Sequence, residues 1–464
     1  MKQELKILSD EEFHLLEKAK QEGKIDEFII EEAELFRDNV YCQQNFHIES
    51  LLKAVRKEKT VSIFMYKNDK VRQASFSLPE AATKEDFERE LSDAIETAVF
   101  NENPTFSLPK KGDEASDESH IPREFFLNTK EEGFEGRRIN LKVQEWIQIM
   151  KKKIEEAEDE ELSLKLNYVE VFNKLVKHRL RTSTQLDKVD SKCSGYLEFV
   201  VTAIDKKTKK ETEHIVYEHL SDIDTFAFEP YFEEQLQFAK DSARAKAAKT
   251  FSGKILLLNH AVSDFFVPDL RPNPFIGHAS ARMKYEKISK YELGQEIISA
   301  KADKVTIYAN PLLKGNAAST LYDDTGVSAR RLLIVENNIL KNFLASKQFA
   351  DYLEVKPSGP MGTLEVERGK NNIKDLEKNE CYSIVSFSSF VPDNISGDFS
   401  AEIRLGYYIR DGVKTPFKGG LFTGNIFKIL ESVHLSAESQ EIPGYLGPKA
   451  ILFDEGQIVG DDEE

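Results

Sequence analysis

Apolar residues recur along this chain with two different periods, and each period predicts its own elements. Residues 1–36 are dense in Glu, Lys and Leu and predict one or two surface helices. Val61 to Met65 reads as a strand, Lys67-Asn68-Asp69-Lys70 as a turn and Val71 to Phe76 as the returning strand. Thr83 stands three residues before Asp86, a spacing that lets each side chain satisfy the other's backbone amide at a helix start. Phe87, Leu91, Ala94, Ile95 and Ala98 then fall on one helical stripe. Residues 108–122 carry no apolar periodicity and read as a polar loop. A further helix begins near Asn140, with Val143, Trp146, Ile147, Met150 and Ile154 on one face. It runs into the charge run KKKIEEAEDEE, which reads as a solvated helix end.

Period-two patterning returns in Tyr196 to Ile204 and His214 to His219, two strands joined by a polar loop. An alanine-rich helix over 233–249 and an apolar strand from Lys254 to Leu258 follow. The remaining chain is poorer in long helices and richer in turns. Asn337-Asn338 separates two apolar runs, and Asp411-Gly412 separates Tyr407–Ile409 from Val413–Phe417; both are hairpin signals, since these residues tolerate the left-handed backbone that tight turns need. A helix is expected from Gly424 to Val433. The pattern is that of an α+β protein in two domains, an N-terminal mixed domain over 1–228 and a C-terminal β-rich domain over 229–464.

Size agrees with two cores, because 464 residues exceed what one ordinary core organises. A net charge of −17 argues against a protein that grips phosphate backbone, so no nucleic-acid partner is expected. No apolar run of about 18 residues predicts a bilayer-spanning helix, and the charged first twenty residues lack a signal peptide's apolar core. Cys42, Cys193 and Cys381 lie far apart, which fits a reducing cytoplasm better than a disulfide framework.

The chemistry-bearing candidates are few. Asp323 and Asp324 with Gly326 place two carboxylates and a flexible residue in one loop ahead of Arg330-Arg331, a candidate contact for substrate. Asp clusters also favour turns, and a turn or cap role is the weightier reading of the residues alone. His214 and His219 sit five apart on a strand, which sends their rings to opposite faces. His260 and His278 read as hydrogen-bonded or capping histidines, and Cys381 as a small buried thiol.

The loop Asp323-Asp324-Thr325-Gly326, the basic pair and the Asn337-Asn338 hairpin resemble a block of the TldD/PmbA family, the so-called modulators of DNA gyrase. Similar likenesses lie in FAKDSARAKAAKTFSGKILLL, in Ser396-Gly397-Asp398-Phe399-Ser400, in GYYIRDGVKTPFKGGLFTGNIFKIL and in the closing KAILFDEGQIVG. The chain departs at Thr325 and Asn338, where the family has Glu and Gly. One branch, TldD, looks like a zinc peptidase with a His-Glu-x-x-x-His element about ten residues past the apolar strand and a distant cysteine. The corresponding Phe266-Val267-Pro268-Asp269-Leu270-Arg271-Pro272 has neither His nor Glu, and His434 to Pro448 has no Cys. The resemblance therefore implies the PmbA/TldE-like branch: a non-catalytic subunit of a cytoplasmic zinc metalloprotease acting on unfolded or small peptides. Zinc is then expected only in a TldD-type partner, in a heterodimer that encloses the substrate, with Asp323, Asp324 and Gly326 as substrate contacts. A homodimeric peptide-binding protein without proteolysis and a divergent stand-alone metallopeptidase are the alternatives.

Overall fold

The computed structural model describes residues 10–44, 46–110, 139–268, 271–378 and 380–460. A first helix, α1 (Asp10–Gln21), leads directly into β1 (Glu27–Gln43). The helix expected over 1–36 thus stops early. Residues 27–36 are rich in Glu but extended, because they pair along their whole length with β2 (Ile48–Lys67) on one side. On the other side they pair with β5 (Leu162–Thr182), and these two ladders outweigh local helix propensity.

The Asn68-Asp69 turn, both residues at positive φ, returns the chain through β3 (Lys70–Pro79). Thr83 and Asp86 form the reciprocal cap of α2 (Lys84–Ala98), which buries Phe87, Leu91, Ala94 and Ala98. A short β4 (Glu102–Pro104) pairs with β3. The helix α3 (Ile139–Ala157) follows, then β5, β6 (Asp187–Asp205), β7 (Glu211–Leu220) and α4 (Phe228–Arg244). The seven strands form one sheet in the order β4-β3-β2-β1-β5-β6-β7. All four helices lie over one face. α1 and α2 cover Phe28, Ile30, Val61 and Ile63; α3 and α4 cover Val40, Val171, Leu197, Phe199 and Val216.

Trp146 of α3 stacks on Phe228 of α4 with ring centroids 4.4 Å apart and planes 9° from parallel. Phe228, Phe232, Leu236 and Ala239 complete the same core, so α4 packs with the N-terminal sheet. The charge run at the end of α3 does not simply face solvent. Lys153 reaches Glu229 and Glu233 of α4 at 3.0 and 2.5 Å, and Lys240 of α4 reaches Asp159 at 2.7 Å.

The second half opens with β8 (Lys246–Ala247), β9 (Phe251–Leu258) and a short helix α5 (His260–Phe266). Two sheets follow. One runs β12 (Ile339–Leu340), β11 (Leu332–Glu336), β10 (Ile307–Asn310), β13 (Thr363–Val366), β20 (Tyr445–Pro448), β19 (Ser439–Ile442). The other contains β14 (Cys381–Pro392), β9, β21 (Ala450–Val459), β17 (Leu421–Asn425) and β15 (Asp398–Arg410), and β15 pairs back to β14 so that these five strands close into a ring. From β15 the sheet extends through β16 (Val413–Lys418) to β8. Phe265 of α5 packs against the ring's Phe390, Phe399 and Phe453. The helix expected over Gly424–Val433 is shorter: Gly424 and Asn425 still belong to β17, and Asn425 caps one turn, Ile426–Ile429. Among the described residues no helix is long and apolar enough to cross a membrane.

Candidate functional site

The two halves meet along two seams. At the first, the segment around Thr320 docks on the β5–β6 hairpin. Asp190, buried on β6, accepts from Thr320 Oγ1 at 2.8 Å and from the Leu321 amide at 3.0 Å. Tyr322 enters an apolar cluster with Ile29, Phe64, Val71 and Leu180, on the sheet face that carries no helices. This seam holds all three residues singled out from the sequence as substrate contacts. Asp323 Oδ1 accepts from the Thr325 amide, the Thr325 hydroxyl and the Val327 amide at 2.9, 2.8 and 3.0 Å, closing its own turn. Burial pushes its carboxyl up, while the Thr325 bond opposes. Asp324 is more open, and burial followed by the nearby Glu31 charge raises it too. Gly326 has φ +92° and lies against Leu186 and Leu180, a conformation and a closeness that only glycine meets without strain.

The second seam is a cleft. Strand β9 ends at Leu258, Asn259 turns with φ +51°, and α5 begins at once. The helix buries Ala261, Val262, Phe265 and Phe266 in the C-terminal core. That leaves His260 and Asp264, one turn apart, on the face toward β7 and α4. Strand β7 is the edge of the N-terminal sheet and alternates strictly, with His214, Val216 and Glu218 inward and His219 outward. The opposite-face expectation for His214 and His219 is met. Glu218 Oε2 lies 2.9 Å from His260 Nε2, with the carboxylate 7% and the imidazole 37% exposed. Burial alone lowers the imidazole, but Glu218, then Asp264 and Glu234, outweigh it and lift the pKa to about 9. Tyr231 of α4 also hydrogen-bonds Glu218, and burial first of all keeps its phenol protonated.

Deeper in the cleft, His214 Nε2 meets Gln235 Oε1 at 2.9 Å. Burial lowers its pKa to about 4, so the ring is neutral and its Nε2–H donates to Gln235. Arg404 of β15 donates to the Ile215 carbonyl at 2.8 Å, and Tyr407 donates to Asp241 Oδ2 at 2.6 Å. The cavity lined by His214, Tyr231, Gln235, His260, Asp264 and Arg404 is about 80 Å³, room for a few waters.

A zinc site needs several neutral imidazole, thiolate or carboxylate donors converging on one point. Here the ring best placed at the cleft, His260, is a protonated partner of Glu218, and His214 is committed to Gln235. Cys381 is buried at the start of β14, its thiol pushed up to about 11 by burial and then by Glu377, and it does not line the cleft. Among the described residues no three His, Cys, Asp or Glu side chains are grouped to hold a metal ion. The described residues do not fit zinc. His278 Nε2–H donates to the Ile395 carbonyl, 3.1 Å away, as a hydrogen-bonded histidine. Asp269 and Leu270, in the stretch compared with the peptidase element, lie outside the described residues. The sequence reading gave Glu218 no role and did not pair His260 with anything. The i, i+4 placement of His260 and Asp264 after an apolar strand was the available signal.

Residues 257–460 match the family model of the PmbA/TldA metallopeptidase C-terminal domain. The second half of the chain thus carries a PmbA/TldD-type domain. An uncharacterized protein of Methanocaldococcus jannaschii is 27% identical over 241 residues, covering 48% of this chain and 54% of that protein. A metalloprotease TldD homolog of Buchnera aphidicola is 25% identical over 183 residues, 36% of this chain and 37% of that one. The matches thus span about half or less of these curated relatives. The solved structure of TldE from Thermococcus kodakarensis superposes with a TM-score of 0.71 at 15% identity, covering 96% of this chain and 100% of that chain. The whole PmbA/TldD fold, N-terminal sheet included, is therefore shared.

Proposed function

We propose that this chain is a non-catalytic, TldE-like subunit of a TldD/TldE-type zinc metalloprotease acting on unfolded or small peptides, with a TldD-type chain supplying the metal. The observation that carries this reading is the His260–Glu218 pair at 2.9 Å. It occupies the helix start that follows the apolar strand, and it converts a candidate ligand into a cation that holds two domains together. Relatives named as metalloproteases support the metallopeptidase family, and a solved structure named TldE has the same fold. Co-expression with a TldD-type chain and affinity capture tests the partnership. A stable complex that cleaves an unfolded peptide, while each chain alone does not, is the expected outcome. Peptide cleavage by this chain alone contradicts the reading.

A further inference from the structure

Beyond the seam at Tyr322, the helix-free face of the N-terminal sheet forms a groove of about 740 Å³ lined by residues of that sheet. Its residues fall in three rows set by strand register. Arg37 of β1 lies directly opposite Lys174 of β5, and Lys174 opposite Ser194 of β6. The next row is Asn39, Phe172, Tyr196 and His219, in which Phe172 stacks on Tyr196 at 5.5 Å and Tyr196 on His219 at 5.5 Å. The third is Tyr41, Glu170, Glu198 and Tyr217. Tyr41 and Glu198 line the groove, Glu170 adjoins them on the sheet, and the Tyr217 ring lies under Arg404 of the C-terminal half at 5.6 Å.

Two of these rows place like charges face to face, an arrangement that destabilises a sheet. Among the described residues neither Arg37 nor Lys174 has an ion-pair partner. Glu58, which acts on Lys174 from a distance, is committed to Arg56 at 2.8 Å. Lys192, diagonal to Lys174, adds a third positive charge. This cationic end stands out in a chain of net charge −17. At the other end Glu170 faces Glu198, whose oxygens take the hydroxyls of Tyr168, at 2.5 Å, and of Tyr196. Glu170 and Lys174 are four residues apart on one strand, about 13 Å at 3.3 Å per residue, the reach of about four extended residues.

We propose that this face binds a short extended peptide carrying an anionic group at one end, a cationic group at the other and an aromatic or large apolar side chain between them. The Arg37–Lys174 pair takes the carboxylate, the Phe172–Tyr196–His219 ladder takes the ring, and the Glu170–Glu198 pair takes the cation. This names a substrate class for the peptide-handling subunit proposed above and rests on that reading. Its test needs neither metal nor partner chain, so it fails or succeeds separately from the protease assignment.

The test is calorimetric titration of the full chain with a tetrapeptide of lysine, phenylalanine, leucine and glutamate in that order. Two control peptides carry either glutamine and an amide in place of the charges, or serine in place of phenylalanine. The parent should bind about tenfold or more tightly than either control, since both end charges and the ring contribute. Arg37→Glu with Lys174→Glu should abolish parent binding and accept instead a peptide with lysine at both ends. Both side chains are exposed and mutually repelling, so circular dichroism should show an intact fold; Tyr196→Ser gives a second, uncharged variant that should also weaken the parent. Equal binding of all three peptides, or no binding, overturns the proposal. So does a charge reversal that dissociates a homodimer in sedimentation without any peptide effect, which would make this face an interface between copies.

Discussion

His260 and Glu218 are 42 residues apart in sequence and 2.9 Å apart across the domain boundary, the imidazole held protonated by the carboxylate. Replacing His260 by Gln leaves Glu218 buried with Tyr231 as its remaining partner, and a loss of about 1–3 kcal/mol is expected. The pair's contribution depends on pH in a defined direction. The folded-state pKa is raised from 6.5 to about 9, so the folded chain holds this proton more tightly than the unfolded chain. The stabilisation is complete below pH 6.5 and fades as pH rises through about 9. Thermal unfolding of the two proteins should differ most near pH 6 and converge near pH 10. A gap that widens with pH would show that the imidazole is neutral.

Glu32 shows the same pH direction from the opposite cause, since here burial disfavours the charged form. It is 2% exposed on β1, its carboxylate oxygens have no hydrogen-bond partner, and Arg181 is 3.9 Å away. Burial raises its pKa from 4.5 to about 8, against the pull of Arg181. The folded chain therefore binds the extra proton, and stability falls as pH rises between these values. Glu32→Gln keeps the shape and removes the titration. It should match the wild type near pH 5 and exceed it by about 1–3 kcal/mol above about pH 8, with Arg181 still paired to Asp10 at 3.0 Å. Urea unfolding at the two pH values checks this, and a variant less stable at both would contradict it.

Gly326 tests the first seam. A Cβ there would lie 3.0 Å from Leu186 and 3.2 Å from Leu180, on a backbone with φ +92°. Gly326→Ala should cost about 1–3 kcal/mol, through strain and a loosened domain contact. Melting temperature is the readout. A substrate-only role for this loop would leave stability unchanged.

Phe228→Ala tests which core α4 serves. Losing the ring stacked on Trp146 should cost about 3–5 kcal/mol. Because Trp146 is the chain's one tryptophan, its emission should shift to longer wavelength in the folded variant. An unshifted spectrum would place α4 away from the N-terminal sheet.

Local chemistry was readable from the sequence wherever it closes within a few residues. The Thr83–Asp86 cap, the Asn337-Asn338 and Asp411-Gly412 turns at positive φ and the buried stripe of α3 all formed as expected. Residues 27–36 misled because helix-favouring Glu is overridden by ladders to β2 and β5, partners as many as about 150 residues away. The cleft was illegible for the same reason. Nothing local to His260 announces Glu218, and nothing local to Arg37 announces Lys174; each pairing exists only once the register of β7, or of β1 against β5, is set.

Zinc content of the purified chain tests the central claim most directly. Elemental analysis should find no stoichiometric zinc in this chain alone and about one zinc per complex after co-expression with a TldD-type partner. One tightly bound zinc per isolated chain would contradict the assignment.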